Sequence, residues 1–171
     1  MHAVAWWPTL IVLAVVTWTD LRSRRVPNLL VLPYLVTGLA VSIWTHGMHG
    51  LTQSLAGLLV GGAFFGLLAL MGGMGMGDVK LCAAIGVWIG PSQMLLALVL
   101  TGIAGAVIAI CWAIKGGFVG EMFGGTGDLL FGWKGRGFQP HPDLVLENPR
   151  SRKMPYVPAI AIGTLISFFS T

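Results

Sequence analysis

The sequence predicts an all-α polytopic membrane protein of six transmembrane helices, and three observations carry that expectation. The chain of 171 residues is 56% hydrophobic and only 9% charged, with a mean hydropathy of +0.84. A soluble domain carries about 25% charged residues. The charges are gathered in a few segments separated by long apolar runs, and seven Trp and eight Phe suit the two interfacial belts of a bilayer. A net charge of +4 on so few ionisable groups fits anionic lipid and membrane topology better than nucleic acid, which is not expected as a partner.

The elements follow in order. Residues 3–19 carry no charge and end at Asp20. The N-terminus has no basic n-region and no small-residue cleavage site, so this run reads as a first span rather than a removable signal peptide. A basic turn follows, in which Arg22, Arg24 and Arg25 read as topology anchors. Pro27 and Asn28 start the next helix, spanning 29–45, with Pro in its favoured place at a helix start. A short turn at 46–50 leads to a third span, 51–71. Gly57, Gly61, Gly62 and Gly66 give it the small-residue spacing of close helix packing. The stretch Gly75-Met76-Gly77-Asp78-Val79-Lys80 then joins two apolar runs. The fourth span, 78–90, is short, since residues 79–90 make about 18 Å of helix against a hydrocarbon core of ~30 Å. Either the bilayer thins there, or the helix starts below the surface with Asp78 in a water-lined pocket. A turn at 91–93 precedes a fifth span, 94–114, and residues 154–170 form the last. Between them lies a long polar, Gly-rich cytoplasmic loop, 115–153, whose apolar residues suggest a substrate gate. No internal repeat is present, and the whole of 1–171 reads as one membrane-embedded domain.

Charge placement sets the orientation. With six spans, every Lys, Arg, Asp and Glu falls on one side, leaving only histidines such as His46 and His49 on the other. An excess of Lys and Arg marks the cytoplasm, so both termini lie outside and Asp20 and Asp78 share the cytoplasmic face. The expected location is the cytoplasmic (inner) membrane, with the lipid bilayer as an obligatory partner. No feature of the sequence sets an oligomeric state.

Asp78 is the only acid between Asp20 and Glu121. Ionisable groups at membrane depth are costly and are functional-site candidates by default. Two facing carboxylates share one proton, so that one acts as general base on a water while the other hydrogen-bonds a scissile carbonyl. This route to peptide hydrolysis needs no metal, and no cofactor is expected. The chain has no HExxH and no convincing Ser–His or Cys–His arrangement. Cys82 and Cys111 have neither metal-ligand nor disulfide spacing and read as small core residues. Gly75 and Gly77 would adopt positive φ and let backbone approach an extended substrate. The plainer alternatives are a helix N-cap for Asp78 and an ordinary juxtamembrane charge for Asp20. Lys80, two residues beyond Asp78, does not face it on a helix. The helix dipoles would polarise the pair, with Asp78 ionised at a helix start and Asp20 holding the proton at a helix end. A second GxGD string, Gly125 to Asp128, lies in the polar loop with no span after it and reads as a surface turn.

These residues resemble the type IV prepilin leader peptidases, membrane aspartyl proteases with a GxGD motif. The likeness covers essentially the whole chain and rests on three motifs in order: Asp20 followed by Val26-Pro27-Asn28, the GMGDVK stretch, and Met154-Pro155-Tyr156-Val157-Pro158 opening the last span. The resemblance implies an aspartic endopeptidase that removes a short basic leader from prepilin-like precursors at the cytoplasmic face. Asp20 and Asp78 carry over as the catalytic pair, supported by Gly75, Gly77, Lys80, Pro27, Asn28, Pro155 and Tyr156. The chain lacks the paired CxxC zinc motifs of members that also methylate the new N-terminus, so it resembles a minimal peptidase-only form. Two other classes remain open: a transporter using Asp78 as an ion or proton site, and a non-catalytic component of a pilus or secretion assembly. A proton path should place polar groups through the full membrane thickness, and here the charges stop at one face.

Overall fold

Two glycines bend the longest apolar runs back on themselves. The computed structural model describes residues 2–23, 26–70, 74–116 and 156–170. They form α1 (His2–Ser23), α2 (Asn28–Leu70), α3 (Met76–Gly116) and α4 (Val157–Phe169). A straight helix of 43 residues, the length of α2, would extend about 65 Å, twice the ~30 Å hydrocarbon core. It does not run straight, because Gly47 takes φ 57°, ψ −138°. A Cβ on Gly50 would collide with the Ser42 carbonyl, although a continuous helix holds residues eight apart at about 12 Å. In α3 the same role falls to Gly90, at φ 77°, ψ 173°, followed by Pro91. A Cβ on Gly61 would meet both Cys82 O at 2.5 Å and Met94 Cε at 2.8 Å, so the chain has folded back between those two residues. Left-handed φ of this kind is open to glycine at no steric cost. The turn expected at 46–50 is thus a single-residue break at Gly47, and the one expected at 91–93 falls one residue earlier, at Gly90.

Glycine also sets the packing. The second segment of α2 runs antiparallel to the first segment of α3. A Cβ on Gly57 would strike the Gly86 carbonyl, and one on Gly86 would strike the Gly57 carbonyl. Ser54 Oγ donates to Val87 O at 2.8 Å along the same seam. Small residues at such a crossing bring backbones together where lipid gives no hydrophobic drive. The second segment of α3 receives α4, with Gly163 seated on Thr101. Trp6 of α1 lies 5.0 Å from Phe168 of α4, ring to ring, at the opposite end of that helix pair from Asp20. Tyr34 ties three helices together. Its hydroxyl pairs with Thr9 at 2.6 Å, its carbonyl accepts Trp88 Nε1–H at 2.8 Å, and its ring stacks on Trp88.

The apolar surface points outward, with Trp44 93% and Leu29 88% exposed. Both α2 and α3 are long and apolar enough to cross a membrane. Cys82 is buried as expected, whereas Cys111 is exposed. Cys111 stands one and two turns along from the exposed Val107 and Ile103, on the outward stripe of α3. Of the expected loop 115–153, Lys115 and Gly116 belong to the end of α3, and the rest of it, with the second GxGD string, Arg24, Arg25 and Pro155, lies outside the described residues.

Candidate active site

Asp20 stands one turn from the C-terminal end of α1, where the neighbouring Leu21 is 59% exposed but Asp20 itself is only 7% exposed. Burial of a carboxylate needs donors, and one is the backbone N–H of Val157, 3.3 Å from Asp20 Oδ2. An ordinary juxtamembrane charge would lie in solvent, so the plain alternative for Asp20 does not describe its position.

Asp78 is half-buried in the first turn of α3. It is not the N-cap, since α3 already begins at Met76 and the Asp78 N–H donates to Gly75 O at 3.1 Å. The carboxylates of Asp78 and Asp20 lie within Coulombic reach of one another, and Tyr156 and Cys82 lie within reach of Asp78. The structure thus brings two acids from α1 and α3 to one end of the bundle.

Of the two motif glycines, Gly77 acts by size rather than by torsion. Positive φ among the described glycines occurs at Gly47 and Gly90, not at Gly75 or Gly77, which corrects the expectation from the motif. Gly77 is inside a helix, and a Cβ there would come within 2.9 Å of Val26 Cβ. Gly75 faces Asp78, with a built Cβ 3.8 Å from Oδ2, an ordinary contact distance. The second glycine lets the segment before α2 lie against the start of α3.

Pro27 and Asn28 open α2 as expected: the Pro27 carbonyl accepts Leu30 N–H at 3.1 Å and Val31 N–H at 3.3 Å. Lys80 turns from Asp78 and donates to Asn28 Oδ1 at 3.3 Å, an exposed link between α3 and α2. Tyr156 packs edge-on to Phe65, with centroids 6.4 Å apart, and its hydroxyl lies beside Gly105. Val26 and Val157 lie inside the motifs, but the sequence assigns neither a role. Val157 contributes only its main chain, which has no side-chain signature, and the one hint is Pro158 immediately after it. Among the described residues no group of three or more His, Cys, Asp or Glu could hold a metal ion.

Two buried or half-buried carboxyls with a shared electrostatic environment can serve as general base and general acid toward a water. Comparison with known proteins points the same way. Residues 7–110 match the model of the type IV leader peptidase family. The prepilin leader peptidase/N-methyltransferase of Burkholderia pseudomallei is 31% identical over 104 residues, 57% of this chain and 33% of that protein. Its counterpart in Aeromonas hydrophila is 34% identical over 106 residues, 58% of this chain and 36% of that protein. The one in Xanthomonas campestris is 33% identical over 105 residues, 57% of this chain and 36% of that protein. The chain thus spans about a third of the length of the curated relatives it matches. No solved structure matches it significantly.

Proposed function

The chain belongs to the type IV leader peptidase family, and on that premise we propose that it is a membrane aspartic endopeptidase whose catalytic pair is Asp20 and Asp78. Its substrates are pilin-like precursors, cleaved behind a short basic leader at the cytoplasmic face of the inner membrane. One carboxylate takes a proton from a water whose oxygen attacks the scissile carbonyl carbon. The partner carboxyl passes its proton to the carbonyl oxygen, and collapse of the tetrahedral intermediate returns a proton to the leaving amine. Neither metal nor cofactor takes part. The single domain crosses the membrane six times, with α2 and α3 contributing two spans each and both termini outside.

The observation that carries this reading is that Asp20, buried at 7% exposure, lies within Coulombic reach of Asp78 although they belong to different helices. A buried acid held beside another acid is a costly arrangement, and costly arrangements concentrate at functional sites. Gly75 beside Asp78, and Gly77, Lys80, Pro27 and Asn28 at the α2–α3 junction, support the pair by placement.

The test is cleavage of a candidate precursor in membranes carrying the wild type, Asp20→Asn or Asp78→Asn. Either substitution is expected to lower the rate by on the order of a thousandfold or more, as removal of a reacting group does. Cleavage retained by either variant would sink the assignment. Loss of solute or proton uptake in Asp78→Asn, with no precursor cleaved by the wild type, would favour the transporter instead. Indifference of pilus or secretion assembly to both changes would favour a scaffold.

A further inference from the structure

The first N–H groups of a helix have no acceptors within it, and buried ones need partners from elsewhere. In α4 this requirement is met in an unusual way. Ala159 and Ile160 donate to Tyr156 O at 3.0 and 3.2 Å, and Tyr156 provides no side-chain cap. Pro158 has no N–H to offer. That leaves Val157, whose N–H is taken by Asp20 Oδ2 at 3.3 Å across a separation of 137 residues. Val157 is fully buried. The cap of the last helix is therefore an acid of the first helix, the same acid that lies within reach of Asp78.

We propose that the Val157 amide is a positioning group for peptide cleavage, fixing the Asp20 carboxyl at the pair through the N-terminus of α4. This rests on the peptidase reading. A backbone N–H and the positive end of a helix both favour a carboxylate over its acid. The C-terminal end of α1 acts in the opposite sense, but the N–H of Val157 is aimed at the oxygen itself. The negative charge thus falls on Asp20 and the shared proton on Asp78, the reverse of the polarisation expected from α1 and α3 alone. Among the described residues, Tyr156 and Cys82 also lie within reach of Asp78. The position of α4 is set by neighbours: Tyr156 rests on Phe65 of α2 and against Gly105 of α3, and Gly163 sits on Thr101. Packing of the whole bundle is in this way transmitted to one carboxylate.

The experiment replaces the 157 amide by an ester in the full chain, using the α-hydroxy analogue of valine, beside Val157→Ala, which keeps the N–H. The ester is expected to lower kcat about tenfold or more, the scale of a hydrogen bond to a charged group, with KM little changed. It also moves the acid limb of the pH profile to higher pH, whereas Val157→Ala leaves that limb in place. Isotope-edited infrared spectra supply a readout independent of turnover. The Asp20 carboxylate band, assigned by its loss in Asp20→Asn, shifts in the ester and not in Val157→Ala. An ester chain with wild-type kcat and acid limb, or an unmoved band, overturns the proposal. A moved band in a protein whose wild type cleaves no precursor keeps the contact but removes its role in cleavage, and with it the peptidase reading.

Discussion

Gly75 and Gly77 belong to one motif, yet their surroundings differ. A Cβ at 77 would press on the branched Val26 Cβ at 2.9 Å, while one at 75 would stand 3.8 Å from the nearest side-chain oxygen. Val26 is stiff, with two heavy atoms on Cβ, and Pro27 restricts its backbone as well. Overpacking of this kind costs about 1–3 kcal/mol, and here the strain falls on the turn that carries Asp78. Gly77→Ala is therefore expected to lower precursor cleavage about tenfold or more with the helical circular dichroism unchanged, whereas Gly75→Ala stays within a few-fold of the wild type. Val26→Gly in the Gly77→Ala background should restore part of the loss; equal activity of the two alanine variants would refute the argument. At this scale the acids were legible because they stand almost alone in an apolar chain. The use of Gly77 was not, because a motif reports that glycine is present and not which neighbour requires it. The Val157 N–H was less visible still, being a main-chain donor identical in every residue but proline.

At the scale of elements, the seam between α2 and α3 depends on two glycines that face each other. A side chain on Gly57 or Gly86 would strike the carbonyl of the other, and main chain cannot yield as the end of a flexible side chain can. Either alanine substitution is expected to destabilise the fold by about 1–3 kcal/mol, the usual scale of overpacking, read as a lower midpoint of unfolding in detergent. Gly102→Ala is the control: nothing lies within 4 Å of a Cβ built there. It should hold or raise stability by up to about 1 kcal/mol, since Ala suits a helix interior better than Gly. Destabilisation by Gly102→Ala as large as that by Gly86→Ala would remove the close-approach explanation. The sequence showed the small-residue stripe, but Gly62 and Gly66 on the same stripe prove looser, with a built Cβ 3.4 and 3.9 Å from its nearest neighbour. Spacing reveals a helix face; it does not reveal where on that face the partner crosses.

Across the whole molecule, contacts sort the chain into two ends. Asp20, Val157, Asp78, Lys80 and Asn28 meet at one, through the Asp20–Val157 and Lys80–Asn28 bonds and the proximity of the two acids. Gly47, Gly90 and the pair Trp6–Phe168 lie toward the other. Among the described residues, the basic side chains Arg22, Lys80 and Lys115 stand at the helix ends on that first side. The clustering of charge is legible in the order of residues alone, because ionisable side chains are kept out of apolar membrane-length runs. The conformations of the two reversals are not, since a glycine in an apolar run is compatible with unbroken helix until its torsion is known. If α2 and α3 each cross twice, residues next to Gly47 face outward and Lys80 faces the cytoplasm. Met48, 74% exposed, is a suitable reporter. In a Cys111→Ala background, with Cys82 buried, Met48→Cys is expected to react with a membrane-impermeant maleimide added to intact spheroplasts. Lys80→Cys should react only in inverted vesicles, where the cytoplasmic face is open. Labelling of both positions from the same side would mean that the apolar run between them does not return across the bilayer, and the six-span arrangement would fall with it.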